Sequence, residues 1–309
     1  MIILGDFKLK DKQLVKVNDC IFNITNINKV FWPNEGYTKG DLLNFYTKIA
    51  SVILPYLKDR PIVMHRYPDG IEGKSFYQKE CPEYAPDWLP TVSLPANDGE
   101  KLINYCLVKD LPDLLWLVNQ GCIEIHPWLS SYKKPDYPFE MVIDLDPNPP
   151  ADFKQTLLVA KLVKEVLLNY SLRSYAKTSG ATGIHIYVPL EPIYKYSEVR
   201  KAALKILKIV VEAYPQGATL ERKVKERGSR VYLDYLQNVR GKTIASVYSV
   251  RPVSGALVST PLTWEEIEEG NVSPEQFNIK NLDARLSYYG DFFNKVLTDR
   301  QRIDNLYDT

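Results

Sequence analysis

The sequence has few cysteines, no long apolar run and almost no net charge, and each absence excludes a class of protein. Its four cysteines form no C-x-x-C pair, which argues against structural zinc and favours reduced thiols in a cytosolic protein. Charged residues interrupt the apolar runs well before the roughly 20 residues of a membrane span, and residues 1–16 are too charged for a secretory signal. Because the formal net charge is only +1, any nucleic acid must be bound by local basic patches.

What the chain does have is an ordinary globular composition. Its 309 residues are 45% hydrophobic and 25% charged, enough to bury the core of one large domain or two small ones. It also carries 21 tyrosines and 10 phenylalanines, whose rings stack on nucleobases as well as filling cores. No repeat and no low-complexity segment is visible, so we expect no division into independent domains.

The most informative stretch reads M-V-I-D-L-D-P and spans residues 141–147. Its alternation predicts a strand with Asp144 and Asp146 on the same face, near the C-terminal end. Two carboxylates held this close repel each other unless a cation lies between them, and Mg²⁺ or Mn²⁺ prefers such oxygen ligands. The motif alone leaves a second interpretation open, namely two solvated carboxylates at the end of a strand.

A third carboxylate, Asp234, lies in the predicted strand R-V-Y-L-D-Y-L-Q. It shares a face there with Tyr232 and Leu236, and an acid between apolar neighbours needs a compensating partner. A metal ion shared with the first two aspartates would supply that partner. Three carboxylates on strands, beside cationic groups, fit two-metal phosphoryl transfer.

Candidate phosphate ligands follow these strands. The turn S-G-A-T-G begins at Ser179, and its glycines let backbone N–H groups approach an anion closely. His185 lies one step into the next strand, where it can donate to a phosphate oxygen. Lys242 offers a point charge and Arg251 a bidentate fork for a triphosphate. Glycines are also ordinary hairpin residues, so the prediction of an anion site depends on finding the glycine turn together with Ser179 and His185.

Two further groups indicate contacts with DNA. Basic and amide side chains surround the N-terminus of a helix predicted to follow Thr38, where anions bind favourably: Asn26, Lys29 and Lys39. Basic groups for phosphates interleave with rings for bases further on, as in surfaces that bind single strands: Arg66, Phe76 and Tyr77. The alternative for the first group is scattered surface lysines, and the alternative for the second is an ordinary edge strand.

The remaining periodicities predict the elements around these groups. They are a hairpin within residues 1–25, helices over about 39–57, 111–120, 153–170 and 197–214, a surface loop over 96–101, a mobile basic loop over 221–228, a strand over 243–250 and a helical tail over 264–309. A strand over 122–128 places Glu124 and His126 on one face, and a buried histidine bonded to backbone is the plainest interpretation of His126.

Taken in order, these motifs resemble the polymerase domain of bacterial ligase D, an archaeo-eukaryotic primase-type polymerase of non-homologous end joining. The matching runs include F-W-P-N-E-G-Y-T-K-G-D, R-P-I-V-M-H-R-Y-P-D-G, I-E-I-H-P-W, V-I-D-L-D-P, K-T-S-G-A-T-G-I-H-I-Y-V-P-L and Y-L-D-Y-L-Q-N. The resemblance implies an α+β fold of two packed β-sheets flanked by helices, with an RRM-like catalytic half. Within one domain over residues 1–309, it implies a DNA-binding part to about residue 135, a catalytic core over about 136–255 and a helical cap over about 256–309.

The resemblance also implies a role for each candidate residue. The metal ligands would be Asp144, Asp146 and Asp234, holding two Mn²⁺ or Mg²⁺ ions. The nucleotide-binding residues would be His126, Ser179, His185, Lys242 and Arg251. The DNA-binding residues would be Asn26, Lys29 and Lys39 for a downstream 5′-phosphate, with Arg66, Phe76 and Tyr77 for the template. His65 and Thr182 stand where some members carry lysine, which predicts weaker phosphate contacts there.

The implied function is template-dependent filling of short gaps at DNA breaks, with a preference for ribonucleotides. The implied substrates are NTPs or dNTPs and DNA with 3′ overhangs or gaps. The implied partners are Ku and a separate ATP-dependent DNA ligase, in the cytoplasm at the nucleoid. A non-catalytic DNA-end-binding and bridging module is the alternative, but it has no need of three converging acids. A Mn²⁺-dependent glycosyltransferase would leave Asp234 and the paired rings without a role.

Overall fold

The computed structural model describes residues 2–3, 12–96, 99 and 101–307, and it groups the chain into two compact units. The first unit comprises Met1–Trp128, Ala245–Val258 and Phe277–Tyr288. The second unit comprises Leu129–Ile244, Ser259–Gln276 and Tyr289–Thr309. The predicted division of one domain into a DNA-binding part, a catalytic core and a cap stays a prediction.

Strands of the first unit form two sheets and a small pair. They are β1 (Ile2–Ile3), β2 (Lys12–Val17), β3 (Cys20–Thr25), β4 (Val30–Trp32), β5 (Tyr37–Thr38), β6 (Ile62–Arg66), β7 (Phe76–Gln78), β8 (Thr91–Pro95), β9 (Leu102–Cys106) and β10 (Cys122–Pro127). The sheets run β1-β2-β3 and β10-β6-β9-β8, with β7 beside β6, while β4 pairs with β5. The antiparallel β2-β3 pair is the hairpin predicted near the N-terminus.

Helices of the first unit begin and end where their caps predict. Helix α1 (Lys39–Leu57) is preceded by Thr38, whose hydroxyl accepts from the Asp41 N–H at 3.2 Å. The Asp41 carboxylate in turn accepts from the Thr38 N–H at 2.9 Å, so the two residues form a capping box. Helix α2 (Leu111–Asn119) ends before Gly121, whose φ of +78° is readily accessible to glycine.

A six-stranded sheet forms the centre of the second unit. Its strands are β11 (Glu140–Pro147), β12 (Tyr175–Thr178), β13 (Ile184–Pro189), β14 (Ala218–Thr219), β15 (Val231–Asp234) and β16 (Pro261–Leu262), in the order β14-β15-β11-β13-β12-β16. Helix α3 (Phe153–Asn169) follows β11, and helix α4 (Tyr196–Ala213) follows β13. The chain order β11-α3-β12-β13-α4-β15, with spatial order β15-β11-β13-β12, is the βαββαβ arrangement of RRM-like folds. The predicted RRM-like half is therefore confirmed.

Two strand predictions need correction. Residues 243–250 form irregular chain with a turn at 247–248 rather than a strand, because the Ser246 N–H donates to the Ile125 carbonyl at 2.9 Å and Tyr248 takes a φ of +65°. The strand predicted over 230–237 ends at Asp234, whose carboxylate accepts from the Leu236 N–H at 2.7 Å and so starts a turn. Local side-chain and tertiary hydrogen bonds override the alternating pattern at both places.

The tail is helical only in short pieces. These are α5 (Trp264–Glu269), α6 (Leu282–Tyr289) and α7 (Lys295–Thr298), joined by irregular chain and 3₁₀ turns. Within the described ranges, no helix is both long and apolar enough to cross a membrane.

Candidate active site

A row of side chains crosses four neighbouring strands of the second unit's sheet. Asp144 on β11 lies directly opposite Asp234 on β15 and, on its other side, opposite His185 on β13. His185 lies opposite Lys177 on β12. Because directly opposed residues of antiparallel strands project from the same face, the row brings two of the three predicted metal ligands together. Asp146 joins the same face two residues further along β11.

Cationic groups lie close to these carboxylates. His185 Nε2 lies 3.5 Å from Asp144 Oδ1, and Arg227 Nη1 lies 3.2 Å from Asp146 Oδ2. The Arg227 guanidinium carbon lies 3.9 Å from the centre of the Tyr232 ring. Burial and the nearby Asp234 charge raise the pKa of Tyr232 to about 12. Arg227 was not predicted as a site residue, because its segment was interpreted as a mobile loop.

The segment that carries Arg227 is held by hydrogen bonds. Residues Val224–Glu226 form a 3₁₀ turn, and the Arg227 guanidinium donates to the carbonyls of Glu221 and Arg222 at 3.2 and 3.1 Å. These contacts aim the guanidinium at Asp146.

The glycine turn lies tightly against β11. An added Cβ at Gly183 would come within 2.2 Å of the Leu145 carbonyl oxygen, so no larger residue fits there without movement. Ser179 Oγ accepts from the N–H groups of Ala181 and Gly183 at 3.1 and 2.9 Å, which closes the turn. Lys242 is exposed in the turn that follows β15. The predicted triphosphate contacts of Ser179 and Lys242 stay predictions.

In the first unit, Glu124 joins two predicted nucleotide-binding residues. Its Oε2 lies 3.0 Å from His126 Nε2 and 2.5 Å from His65 Nδ1, and its Oε1 pairs with Arg251 Nε. Burial raises the pKa of Glu124, but the hydrogen bonds to His126 and His65 and the Arg251 charge outweigh it, so this pKa lies well below the ordinary value. Burial lowers the pKa of His126, which Glu124 only partly opposes. His126 is therefore bonded to a carboxylate rather than to backbone.

The same cluster is the tightest candidate metal ligand set in the part of the chain that is described. His65, Glu124 and His126 form a group of three whose potential ligand atoms all lie within 4.8 Å of one another. Nitrogen and oxygen donors of this kind suit transition metals. The three aspartates do not form such a tight group among the described residues. Sequence reasoning placed Glu124 and His126 on one face but gave no role to Glu124.

Arg66 and two exposed rings form a surface on β6 and β7. Phe76 is 45% exposed and Tyr77 59% exposed. The Arg66 guanidinium carbon lies 5.3 Å from the Phe76 ring centre, and Tyr77 stacks on His65 at 3.9 Å between ring centres with 13° between planes. The structure thus brings the predicted template-binding residues together and adds His65 beneath one of the rings.

The three residues of the predicted 5′-phosphate pocket also meet. Lys29 N–H donates to the Asn26 carbonyl, and Lys39 N–H donates to the Lys29 carbonyl, at 2.9 and 2.8 Å. Lys39 Nζ donates to the Thr25 carbonyl at 2.6 Å, and burial, with smaller effects of Lys29 and Arg66, lowers the pKa of Lys39 to about 8. The Lys29 ammonium pairs with Asp69.

The predicted surface loop over residues 96–101 is described only in part. Ala96 N–H donates to the Lys101 carbonyl at 2.7 Å, which closes the loop at its base. Residues 97, 98 and 100 lie outside the described residues.

The RRM-like sheet, with its row of carboxylates and cationic neighbours, is compatible with a nucleotidyltransferase of the primase-polymerase class. The chain belongs to the LigD primase-polymerase domain family, whose model matches residues 38–293. The resemblance to this family that the sequence motifs indicated is therefore confirmed.

Relatives and a solved structure agree with this family. The chain is 35% identical over 267 residues to "Bifunctional non-homologous end joining protein LigD" of Bacillus subtilis (strain 168), covering 86% of this chain and 42% of that protein. It is 30% identical over 285 residues to "Multifunctional non-homologous end joining protein LigD" of Mycolicibacterium smegmatis, covering 92% and 37%. The structure "Polymerase Domain from Mycobacterium tuberculosis Ligase D in complex with DNA" matches with a TM-score of 0.83 and 25% identity, covering 90% of this chain and 98% of that one.

These matches confirm the predicted α+β primase-type fold. The chain spans less than half the length of either curated relative.

Proposed function

We propose that the protein is a template-dependent nucleotidyltransferase that fills short gaps at DNA breaks during non-homologous end joining. The observation that carries the proposal is the pairing of Asp144 with Asp234 across adjacent strands, beside Asp146, in a chain of the primase-polymerase family. The relatives are named as end-joining proteins and the structural neighbour is a polymerase domain in complex with DNA, which supports DNA as the substrate.

Asp144, Asp146 and Asp234 are the proposed ligands of two Mn²⁺ or Mg²⁺ ions. The residues fit these ions because all three offer carboxylate oxygens, the ligands that both ions prefer. Two of these acids have cationic neighbours, His185 beside Asp144 and Arg227 beside Asp146. Bound divalent ions supply activation of the primer hydroxyl and neutralisation of phosphate charge in the in-line displacement. The protein's own part is to hold the three carboxylates in fixed register on β11 and β15.

The proposed nucleotide-binding residues are His126, Ser179, His185, Lys242 and Arg251. In the second unit, the His185 N–H and the Lys242 ammonium would hold the triphosphate, with Ser179 shaping the turn beside it. In the first unit, His126 and Arg251 are proposed as nucleotide-binding residues, and their shared partner Glu124 keeps both side chains oriented. A preference for ribonucleotides belongs to the same proposal.

DNA is proposed to bind through two groups of the first unit. Asn26, Lys29 and Lys39 would take the downstream 5′-phosphate at the N-terminus of α1. Arg66, Phe76 and Tyr77 would take the template, with the exposed rings stacking on unpaired bases. Ku and a separate ATP-dependent DNA ligase are the proposed partners, acting with the protein at the nucleoid in the cytoplasm.

The test is extension of a labelled primer–template with Mn²⁺, comparing Asp144→Asn and Asp234→Asn with the wild type. Both substitutions remove a charge with little change in volume, and we expect each to lower the rate at least about 1,000-fold. Asp19→Asn, on an exposed hairpin turn, is the matched control and should extend normally.

DNA affinity is measured on the same variants. Binding by all three should match the wild type, because Asp144 and Asp234 are assigned to metal ions rather than to DNA and Asp19 is assigned to neither. Extension by Asp144→Asn at the wild-type rate would refute the site. Absence of extension by the wild type, with phosphate-dependent DNA binding intact, would favour the bridging module instead.

A further inference from the structure

Lys177 is a charged side chain in the core of the second unit. It lies on β12 with none of its surface exposed, and it ends the row that runs through His185 and Asp144 to Asp234. A lysine is almost never fully buried unless its ammonium has partners, because losing hydration of a charge is costly. The position of this one, next to a proposed triphosphate ligand, indicates that its charge has a use in the site.

The hydrogen bonds of the Lys177 ammonium show which atom donates in each contact. Lys177 Nζ lies 2.5 Å from Ser259 Oγ and 2.9 Å from His185 Nδ1. Ser259 donates its own hydrogen to the Thr178 carbonyl at 2.8 Å, so its oxygen accepts from the lysine. An ammonium has three donors and no acceptor, so His185 Nδ1 must accept as well. The Tyr187 ring, with its centre 5.8 Å from Nζ, adds a cation–π contact.

The other ring nitrogen of His185 faces an acceptor. Its Nε2 lies 3.5 Å from Asp144 Oδ1, and an ionised carboxylate can only accept. A neutral imidazole carries one hydrogen, on one of its two nitrogens. The form with its hydrogen on Nε2 satisfies both neighbours, whereas the other tautomer would set a donor against the ammonium and an acceptor against the carboxylate.

We propose that Lys177 is a positioning residue that holds His185 in the Nε2–H tautomer, so that the ring presents a hydrogen-bond donor to the incoming triphosphate. The proposal rests on the proposed function, in which His185 binds the nucleotide. Lys177 contacts the ring at Nδ1, and the proposal assigns it no contact with the nucleotide. If Lys177 only filled the core, its replacement would leave the His185 tautomer unchanged.

The tautomer is measured directly by long-range ¹H–¹⁵N spectra of protein labelled at histidine. The chain has only three histidines, so His185→Gln assigns the signal of interest by its disappearance. We expect wild-type His185 to be protonated at Nε2 and unprotonated at Nδ1. In Lys177→Met we expect signals of the other tautomer or of a mixture. Lys201→Met, the same change at an exposed position of α4, is the matched control and should leave the spectrum unchanged.

Kinetics give a second readout. Lys177→Met should raise the KM for the nucleotide about tenfold with little change in kcat, because an interaction made equally in the ground and transition states is weakened. Lys177→Arg keeps a donor towards Nδ1 and should retain the wild-type tautomer.

A wild-type His185 protonated at Nδ1, or an unchanged tautomer in folded Lys177→Met, would overturn the proposal. The wild-type spectrum decides even if the methionine variant fails to fold. Because the spectra need no turnover, absence of primer extension by the wild type would count against the proposed function alone.

Discussion

Asp144 lies directly opposite Asp234 on adjacent antiparallel strands, so two carboxylates face each other across the sheet. Like charges in this relation destabilise a sheet unless a cation lies between them. A divalent ion at hundredfold its Kd should therefore stabilise the protein by about 2.7 kcal/mol, and Asp234→Asn should lose most of that gain. Without metal, the variant should melt at or above the wild-type Tm, because the repulsion is relieved.

Thermal melts with and without Mn²⁺ measure both effects. Asp19→Asn should keep the full metal-dependent rise in Tm. An equal rise in Asp234→Asn would mean that the ion binds elsewhere, for which the His65 and Glu124 cluster of the first unit is the first candidate.

Under the proposed metal assignment, Arg227 competes with the ion for Asp146. Its guanidinium pairs with that carboxylate at 3.2 Å, so a metal ion at Asp146 would have to displace it. Arg227→Gln should therefore tighten Mn²⁺ binding several-fold in calorimetric titrations without DNA. Arg222→Gln, whose side chain is exposed in the same segment, should bind like the wild type. Weaker binding by Arg227→Gln would show that the arginine supports the ion rather than displacing it.

Recognition of a 5′-phosphate should weaken as the pH rises through about 8. Burial lowers the pKa of Lys39 to about 8, so the ammonium is charged below that pH and loses its proton above it. The advantage of 5′-phosphorylated over unphosphorylated gapped DNA should fall about tenfold between pH 7 and pH 9. Lys39→Arg, which stays charged over this range, should show a flat profile by fluorescence anisotropy. An equally steep profile in the arginine variant would remove Lys39 as the titrating group.

Glu124 should make the wild type sensitive to acid. A carboxyl whose folded-state pKa is depressed contributes stability above its ordinary value of 4.5, and that contribution is lost as the pH falls below it. Glu124→Gln should cost about 3 kcal/mol of unfolding free energy at pH 7, because Arg251 loses its buried partner. The difference from the wild type should shrink between pH 5 and pH 3.

Urea unfolding at each pH measures this dependence, with the exposed Glu72→Gln as the control. A pH-independent difference between Glu124→Gln and the wild type would contradict the ionised cluster.

Features encoded by local spacing were predictable from the sequence. The alternation around Asp144 and Asp146, the Thr38 cap and the order of the strands around α3 and α4 all follow from short-range patterns. The residues that were missed act through long-range pairing. Glu124 meets His65 only because β10 lies beside β6, a pairing that no spacing in the sequence reveals.

The wrong strand over residues 243–250 has a related cause. Its alternation is real, but the Ser246 N–H bonds to the Ile125 carbonyl of β10 and the segment forms no continuous ladder. Arg227 was missed because a run of charges predicts a solvated loop. In the structure, the Arg227 guanidinium donates to two carbonyls of its own segment and to the Asp146 carboxylate, and these hydrogen bonds order the segment. Family resemblance supplied the roles of the DNA-binding residues, which composition alone could not assign.

The most direct test of the account is extension across a short gap that ends in a downstream 5′-phosphate. The wild type would be given Mn²⁺ and either ribo- or deoxyribonucleotides, on templates that differ in one gap base. The account predicts addition of the complementary nucleotide only, faster with ribonucleotides and faster on phosphorylated than on unphosphorylated gaps. Addition that ignores the template base, or no addition by protein that binds the gap, would contradict it.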